Sequence, residues 1–294
     1  MPTTMMRTVT PSRQGTTTMA RSPPGAERIL ALLEGTTSEA VLEAAAEIAA
    51  VRGLPLVGLV IEDAELLSSA GLPFAREIGR VSGQPRALSA ATVEARNRAE
   101  HERLRTRLTE IALRHHVVAD LEIGRGRRVE TVLARLSPTD ILVGRRSGGV
   151  ERPFALVERV LVAARCAVFV TGTLTPVLAG RGAPMVLVEN LASVDRVVAV
   201  AAELARGHYR GLALLVPPSR AGAAVARRSA VRLADYGLQA LSIELPRMDA
   251  ATVLGALRRE GSALLCVARD SALLVGTEGE RLTENTDATL VVVA

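Results

Sequence analysis

Arg28-Ile29-Leu30-Ala31-Leu32-Leu33-Glu34-Gly35-Thr36-Thr37-Ser38 is the stretch on which the fold turns. A short apolar run ends at Glu34-Gly35, and Ser38 follows as a natural N-cap, because its hydroxyl can accept a free N–H of a first helical turn. Between Ser38 and Val51 the residues Val41, Leu42, Ala45, Ile48 and Ala49 recur on one helical face. Gly53 stops that helix, and Leu54 to Ile61 is a second apolar run. Strand, helix and strand in this order predict a right-handed parallel unit.

The same alternation continues downstream. Thr92 to His115 reads as a long helix with Leu104, Leu108 and Ile111 buried and its Arg and Glu residues solvated. Val117 to Ile123, Asp140 to Gly144 and Cys166 to Thr171 read as strands, with helices over Val129 to Leu136 and Pro153 to Ala164. After Pro176, Gly180 and Gly182 the order repeats: strands at Met185–Glu189, Gly211–Val216, Leu238–Leu245, Ala263–Ala268 and Thr289–Val293, with helices at Ser193–Arg206, Ala221–Tyr236 and Ala250–Glu260. Two matching runs of five strands indicate duplication. The predicted class is α/β, with two tandem open parallel five-stranded sheets and helices on both faces. Residues 28–172 form the first unit, 173–182 a linker and 183–294 a degenerate second unit. The apolar last strands, Ala167 to Thr171 and Leu290 to Val293, are expected to bring the halves together as an internal pseudo-dimer.

Residues 63–90 interrupt the first unit. Gly71-Leu72-Pro73 and Gly83-Gln84-Pro85 punctuate them, so they read as short helices and loop. Leu66, Leu67, Leu72, Phe74, Ile78 and Leu88 make the segment too apolar for a plain linker. It either packs on its own half or offers a surface to a protein partner.

Composition narrows the function. The chain has 294 residues, 48% of them hydrophobic and 2% aromatic, which suits aliphatic strands buried under Ala-rich helices. All 36 basic residues are Arg, which excludes Schiff-base chemistry and a phosphate-loop lysine. The net charge of +5 is spread along the chain, and stacking aromatics are missing, so nucleic acid is not an expected partner. No apolar stretch reaches the length of a membrane span, so no membrane insertion is expected. Cys166 and Cys266 each lie in an apolar run and read as buried reduced thiols of a cytoplasmic protein. Residues 1–27, rich in Thr, Ser, Pro and Arg, read as a disordered tail, or as an overlong start with Met19 as the initiator.

Three stretches carry a resemblance to the universal stress protein family. Ile29-Leu30-Ala31-Leu32-Leu33-Glu34-Gly35-Thr36 is similar to the family's opening strand with its Asp-Gly-Ser. Thr139-Asp140-Ile141-Leu142-Val143-Gly144 is similar to its fourth strand, and Ala164-Arg165-Cys166-Ala167-Val168-Phe169-Val170 to its last. The element order extends the likeness over 28–172 and again over 183–294. The resemblance implies a regulatory or binding protein linked to stress or to transport. Many members bind ATP through Gly-x2-Gly-x9-Gly-Ser/Thr after the fourth strand, where small residues let the backbone close on phosphates. Here Gly144 is followed by Arg145, Arg146 and Ser147; Gly148 and Gly149 come late, and no Gly-Ser or Gly-Thr follows. The opening acid is Glu34 where the family has Asp. In the second half Ala268-Arg269-Asp270-Ser271 holds no glycine, and Gly276 and Gly279 keep only the first spacing, with Thr289 in place of the last glycine.

Ligands of open parallel sheets sit outside the carboxyl ends of the strands, where the strand order reverses. The candidate crevice for an anion or nucleotide therefore comprises Glu34, Gly35, Thr36, Gly124, Arg125, Gly126, Arg127, Arg128, Gly144, Arg145, Arg146 and Gly148. Its arginines either converge on one crevice, where guanidinium groups suit phosphate, or are solvated loop charges partly paired with Glu130 and Glu151. Catalytic patterns are weak: there is no Gly-x-Ser-x-Gly, and His101, His115, His116 and His208 have no metal-ligand spacing. The sequence thus points to a binding protein without turnover and without a required cofactor. Two alternatives stand beside it: a sensor of ATP or another adenine nucleotide, and a nucleotide hydrolase.

Overall fold

The computed structural model describes residues 28–34, 38–78, 83–145, 160–161, 163–172, 177–178 and 182–294. In the first half the elements run β1 (Ile29–Leu33), α1 (Ser38–Arg52), β2 (Leu56–Asp63), α2 (Ala64–Ala70), β3 (Arg76–Ile78), β4 (Pro85–Ala87), α3 (Ala90–His115), β5 (Ala119–Gly126), α4 (Arg128–Leu133), β6 (Ile141–Arg145) and β7 (Ala167–Thr171). The second half runs β8 (Met185–Leu187), α5 (Leu191–Ala205), β9 (Gly211–Val216), α6 (Arg220–Asp235), β10 (Gln239–Glu244), α7 (Ala250–Glu260), β11 (Leu264–Ala268), a 3-10 turn (Ala272–Leu274), α8 (Gly276–Asn285) and β12 (Thr289–Val293).

Each half orders its parallel strands alike, β7-β6-β1-β2-β5 and β12-β11-β8-β9-β10. The expectation of two separate sheets is corrected at the junction. β12 pairs antiparallel with β7, Val291 opposite Phe169, so the halves fuse into one ten-stranded sheet. The cause is visible in the strands themselves. Thr289–Val293 is buried throughout and Ala167–Thr171 nearly so, and an unpaired apolar edge would leave a row of N–H and C=O groups without partners.

Side-chain alternation along the strands divides the core between two faces. One face packs α1, α3, α5 and α6 on Ile29, Ala31, Val143, Phe169, Val186 and Val291. The other packs α4, α7 and α8 on Leu30, Leu142, Val168, Leu265 and Val292. The first face is continuous across the junction. There Arg52, in the last turn of α1, pairs with Glu203 of α5. Glu47 of α1 accepts the N–H groups of Val177 and Leu178, both at 2.8 Å, and the Tyr209 hydroxyl donates to the Leu178 carbonyl at 2.7 Å. Val177 and Leu178 of the expected linker are therefore buried against both halves.

Two segments depart from the sequence reading. Among the described residues of 63–90 lie one short helix, α2, and the antiparallel pair β3–β4 instead of short helices and loop. Ala70 is buried, while Leu66, Leu72, Phe74 and Ile78 are exposed. A pair with three residues per strand carries too little periodic signal to be seen in advance. In the second half, residues 269–288, where no element was expected between the last two strands, contain the 3-10 turn and α8, whose buried positions are only Gly279 and Leu282.

Cys166 and Cys266 are free and buried, as expected of reduced thiols. Burial pushes the Cys266 thiol up to about 12, and burial raises Cys166 as well. A thiolate is the reactive form. Native protein at pH 8 is therefore expected to leave both thiols unmodified by a disulfide reagent, with both reacting after denaturation. Spectrophotometric thiol counting checks this, and rapid native labelling would contradict it.

Candidate functional site

Strand order reverses between β1 and β6 in the first half and between β8 and β11 in the second. Outside the first reversal, β2 and β5 outrun β1. Their register continues past Val60↔Ile123 to Glu62↔Arg125 and Asp63↔Gly126, whereas β1 ends opposite Val60. The two strands form a ribbon above the sheet, and alternation sends successive side chains to opposite faces.

On the α3 face, Arg125 donates to Glu62 at 2.9 Å. Glu62 also accepts from Asn97 at 3.3 Å and lies 3.7 Å from His101 Nε2, both on α3. On the α4 face, Arg128 reaches Glu34 at 3.5 Å and Asp63 at 3.7 Å, and Arg127 reaches Glu65 at 3.4 Å. Asp63 is also the N-cap of α2, accepting from the N–H groups of Glu65 and Leu66. Arg145 leaves β6 on the side of Ile141 and Val143, facing α1, and makes no ion pair among the described residues. The candidate arginines are thus divided between two faces, and the three on β5 and α4 lie against carboxylates. Those carboxylates are Glu34, Glu62, Asp63 and Glu65. The sequence reading named Glu34 for a different role and missed the other three. Their signal was the alternation of β2 running on through Glu62-Asp63 into an Asp N-cap.

Gly35, Thr36, Arg146 and Gly148 lie outside the described residues. Gly144 is buried in β6, where its carbonyl accepts the Thr171 hydroxyl at 3.3 Å. Gly124 and Gly126 have packing reasons of their own. A Cβ on Gly124 would stand 2.8 Å from both Ile61 Cδ1 and Thr131 Cγ2, and one on Gly126 would stand 2.7 Å from Thr131 Oγ1. Gly126 also has φ +148, a conformation that side chains other than glycine rarely adopt. Together they let α4 fold back onto β5. Gly126→Ala is expected to lose about 1–3 kcal/mol from strain and contact. A denaturant titration checks this; an unchanged midpoint would remove the packing role.

Below the ribbon, α4 is too short to cover the α4 face of β5, and a polar cluster takes its place. Arg28 donates to Glu122 at 2.9 Å and to the Arg135 carbonyl at 2.8 Å, and its Nε lies 3.4 Å from the buried Asp140 carboxylate. Arg135 shares Glu122 at 3.0 Å. Buried charges persist only when paired and hydrogen-bonded in this way.

In the second half the corresponding positions are occupied from within. Glu278 accepts the Ala250 N–H at 2.7 Å at the start of α7, and Arg196 reaches Asp270 at 3.3 Å. Gly276 has φ +61, and a Cβ on Gly279 would stand 2.5 Å from the Leu274 carbonyl oxygen, so both glycines serve the turn into α8. Arg269 points across the junction and donates to the Cys166 carbonyl at 2.7 Å. Burial holds its guanidinium below the usual arginine range.

No protein-family model matches the chain, and no curated protein matches it. Solved structures do. A universal stress protein from Archaeoglobus fulgidus DSM 4304 is similar with a TM-score of 0.65 at 11% identity, covering 90% of this chain and 95% of that one. A protein from the universal stress protein family from Burkholderia pseudomallei is 22% identical, with a TM-score of 0.34, over 48% of this chain and 92% of that one. A universal stress protein from Archaeoglobus fulgidus in complex with dAMP is 10% identical, with a TM-score of 0.33, over 38% of this chain and 98% of that one. Among the described residues no helix is long and apolar enough to cross a membrane. With a likeness that spans both halves, the chain has a universal-stress-like α/β fold.

Proposed function

We propose that the protein acts by binding, as a universal-stress-like regulator, without chemical turnover. The observation that carries this reading is the pairing at the strand ends: Arg125 on Glu62, Arg127 on Glu65, and Arg128 on Glu34 and Asp63. Carboxylates already engaged by guanidinium groups are not presented to a reacting group as general bases. The exposed Phe74 and Ile78 on the insertion favour a protein as the thing bound.

A specific observation favours a second reading, that the first half senses an adenine nucleotide. Arg128 is held only at 3.5 and 3.7 Å and is half exposed, so a phosphate can take it from Glu34 and Asp63. Calorimetric titration of ATP and ADP, with phosphate release followed in parallel, separates the readings. The regulator reading expects no multiple-turnover phosphate release. The sensor reading adds binding that weakens with salt and is lost in Arg128→Ala. Turnover that disappears in Arg128→Ala would overturn the binding reading in favour of a hydrolase.

A further inference from the structure

The ten-stranded sheet ends in two edges, β5 and β10. Exposed strand edges pair with other strands unless something guards them. β5 is guarded: Asp120, Glu122 and Arg125 lie along it, and Arg28 and Arg135 close over Glu122. β10, Gln239-Ala240-Leu241-Ser242-Ile243-Glu244, carries a charge only at its end. Leu241 is 59% exposed on the face opposite α6, although it lies in a strand.

The ladder to β9 sets which groups of β10 face outward. Gln239 N–H donates to Arg210 and Leu245 N–H to Val216, so odd-numbered residues bond inward. The N–H and C=O groups of Ala240, Ser242 and Glu244 therefore point away from the sheet. We propose that this edge binds a second copy of the chain, β10 against β10, antiparallel and centred on Ser242. In that register Ser242 meets its own counterpart and Ala240 meets Glu244, and each such pair exchanges both N–H···O bonds. Leu241 then lies opposite Ile243 on the face away from α6, in the closer-packed type of pair, and like charges do not meet.

The helix above the edge fits the same partner independently. Val225, Ser229 and Leu233 of α6 are buried on the sheet, and Arg228 and Arg232 turn toward Asp195 of α5. The opposite flank, at helical spacing, is Ala223, Ala226 and Ala230. It is the flank that overlooks the edge, and these three positions are all alanine in a chain with 36 arginines, with Arg227 following one turn after Ala223. Each α6 sits between β9 and β10, so two copies stand about two strand spacings apart, roughly 9–10 Å. That is the distance at which helices with small contact residues pack.

Sedimentation of the full chain tests the interface, with Ser242→Pro and Leu241→Arg as variants. Proline at 242 removes an outward N–H and leaves the β9 ladder intact, as edge strands tolerate. Leu241→Arg sets a guanidinium opposite Ile243 and touches nothing in the isolated chain's core. The expected result is a wild-type dimer at micromolar concentration and monomers for both variants, with Leu241→Arg retaining the wild-type circular dichroism spectrum and melting temperature. A monomeric wild type, or a dimer that persists in Leu241→Arg, overturns the proposal.

Discussion

Glu203→Ala is expected to lose about 3–5 kcal/mol of folding stability, because it strips the partner from a buried guanidinium. Arg52 has a side chain 7% exposed, and Glu203 is its ion-pair partner across the junction. Its Nε finds no hydrogen-bond acceptor among the described residues. Burial pushes the Arg52 guanidinium down, and Glu203 and then Tyr236 oppose that effect. Removing Glu203 leaves desolvation unopposed by its main counter-charge. In a chain of this size such a loss moves the melting temperature by roughly 10 °C. The double change Arg52→Leu with Glu203→Leu removes both charges and is expected to recover most of the loss, since an apolar pair of similar volume needs no counter-charge. Denaturant unfolding of the three proteins checks this. A Glu203→Ala midpoint equal to wild type would show that Arg52 reaches water by another route.

A comparable loss is expected from Phe169→Ala, about 3–5 kcal/mol from lost burial plus the cavity left behind. Phe169 is fully buried in β7, with Val143 beside it in β6 and Val291 opposite it in β12. It fills the core where the halves join, so its removal weakens both sides of the antiparallel seam. Phe74→Ala is the control. Phe74 is 76% exposed, and its truncation is expected to change stability by no more than about 0.5 kcal/mol. Paired unfolding curves of the two alanine variants check the contrast; equal effects would mean that the insertion is packed more tightly than its exposure indicates.

The fold was legible because its signals are local. Ser38 after an apolar run, the helical recurrence from Val41 to Ala49 and the apolar blocks at Ile141 and Thr289 each follow from one or two turns or one strand of chain. The β3–β4 pair escaped because its strands are three residues long and exposed. Helix α8 escaped because Gly279 and Leu282 are its only buried positions, so there is no apolar stripe to read.

The site was less legible. Loop arginines were recognisable as charges near strand ends, but their partners depend on strand parity and register. Glu62 faces α3 and Asp63 faces α4 because neighbouring residues of β2 alternate, and Arg125 meets Glu62 because β2 and β5 pair in that register. Gly124-Arg125-Gly126 belonged to the candidate anion crevice, and the contact of α4 with β5 accounts for its glycines.

By itself the sequence determined the class of fold, the duplication, the apolar last strands and the absence of lysine chemistry. Periodicity and residue type are properties of neighbouring positions, so they survive without coordinates. Only the tertiary structure decided that β7 and β12 fuse the halves into one sheet, that Arg52 depends on Glu203, and that the candidate arginines divide between two faces. Each of these joins residues far apart in the chain. Such contacts are set by register and by the side of the sheet a residue occupies, and a shift of one position would reverse them.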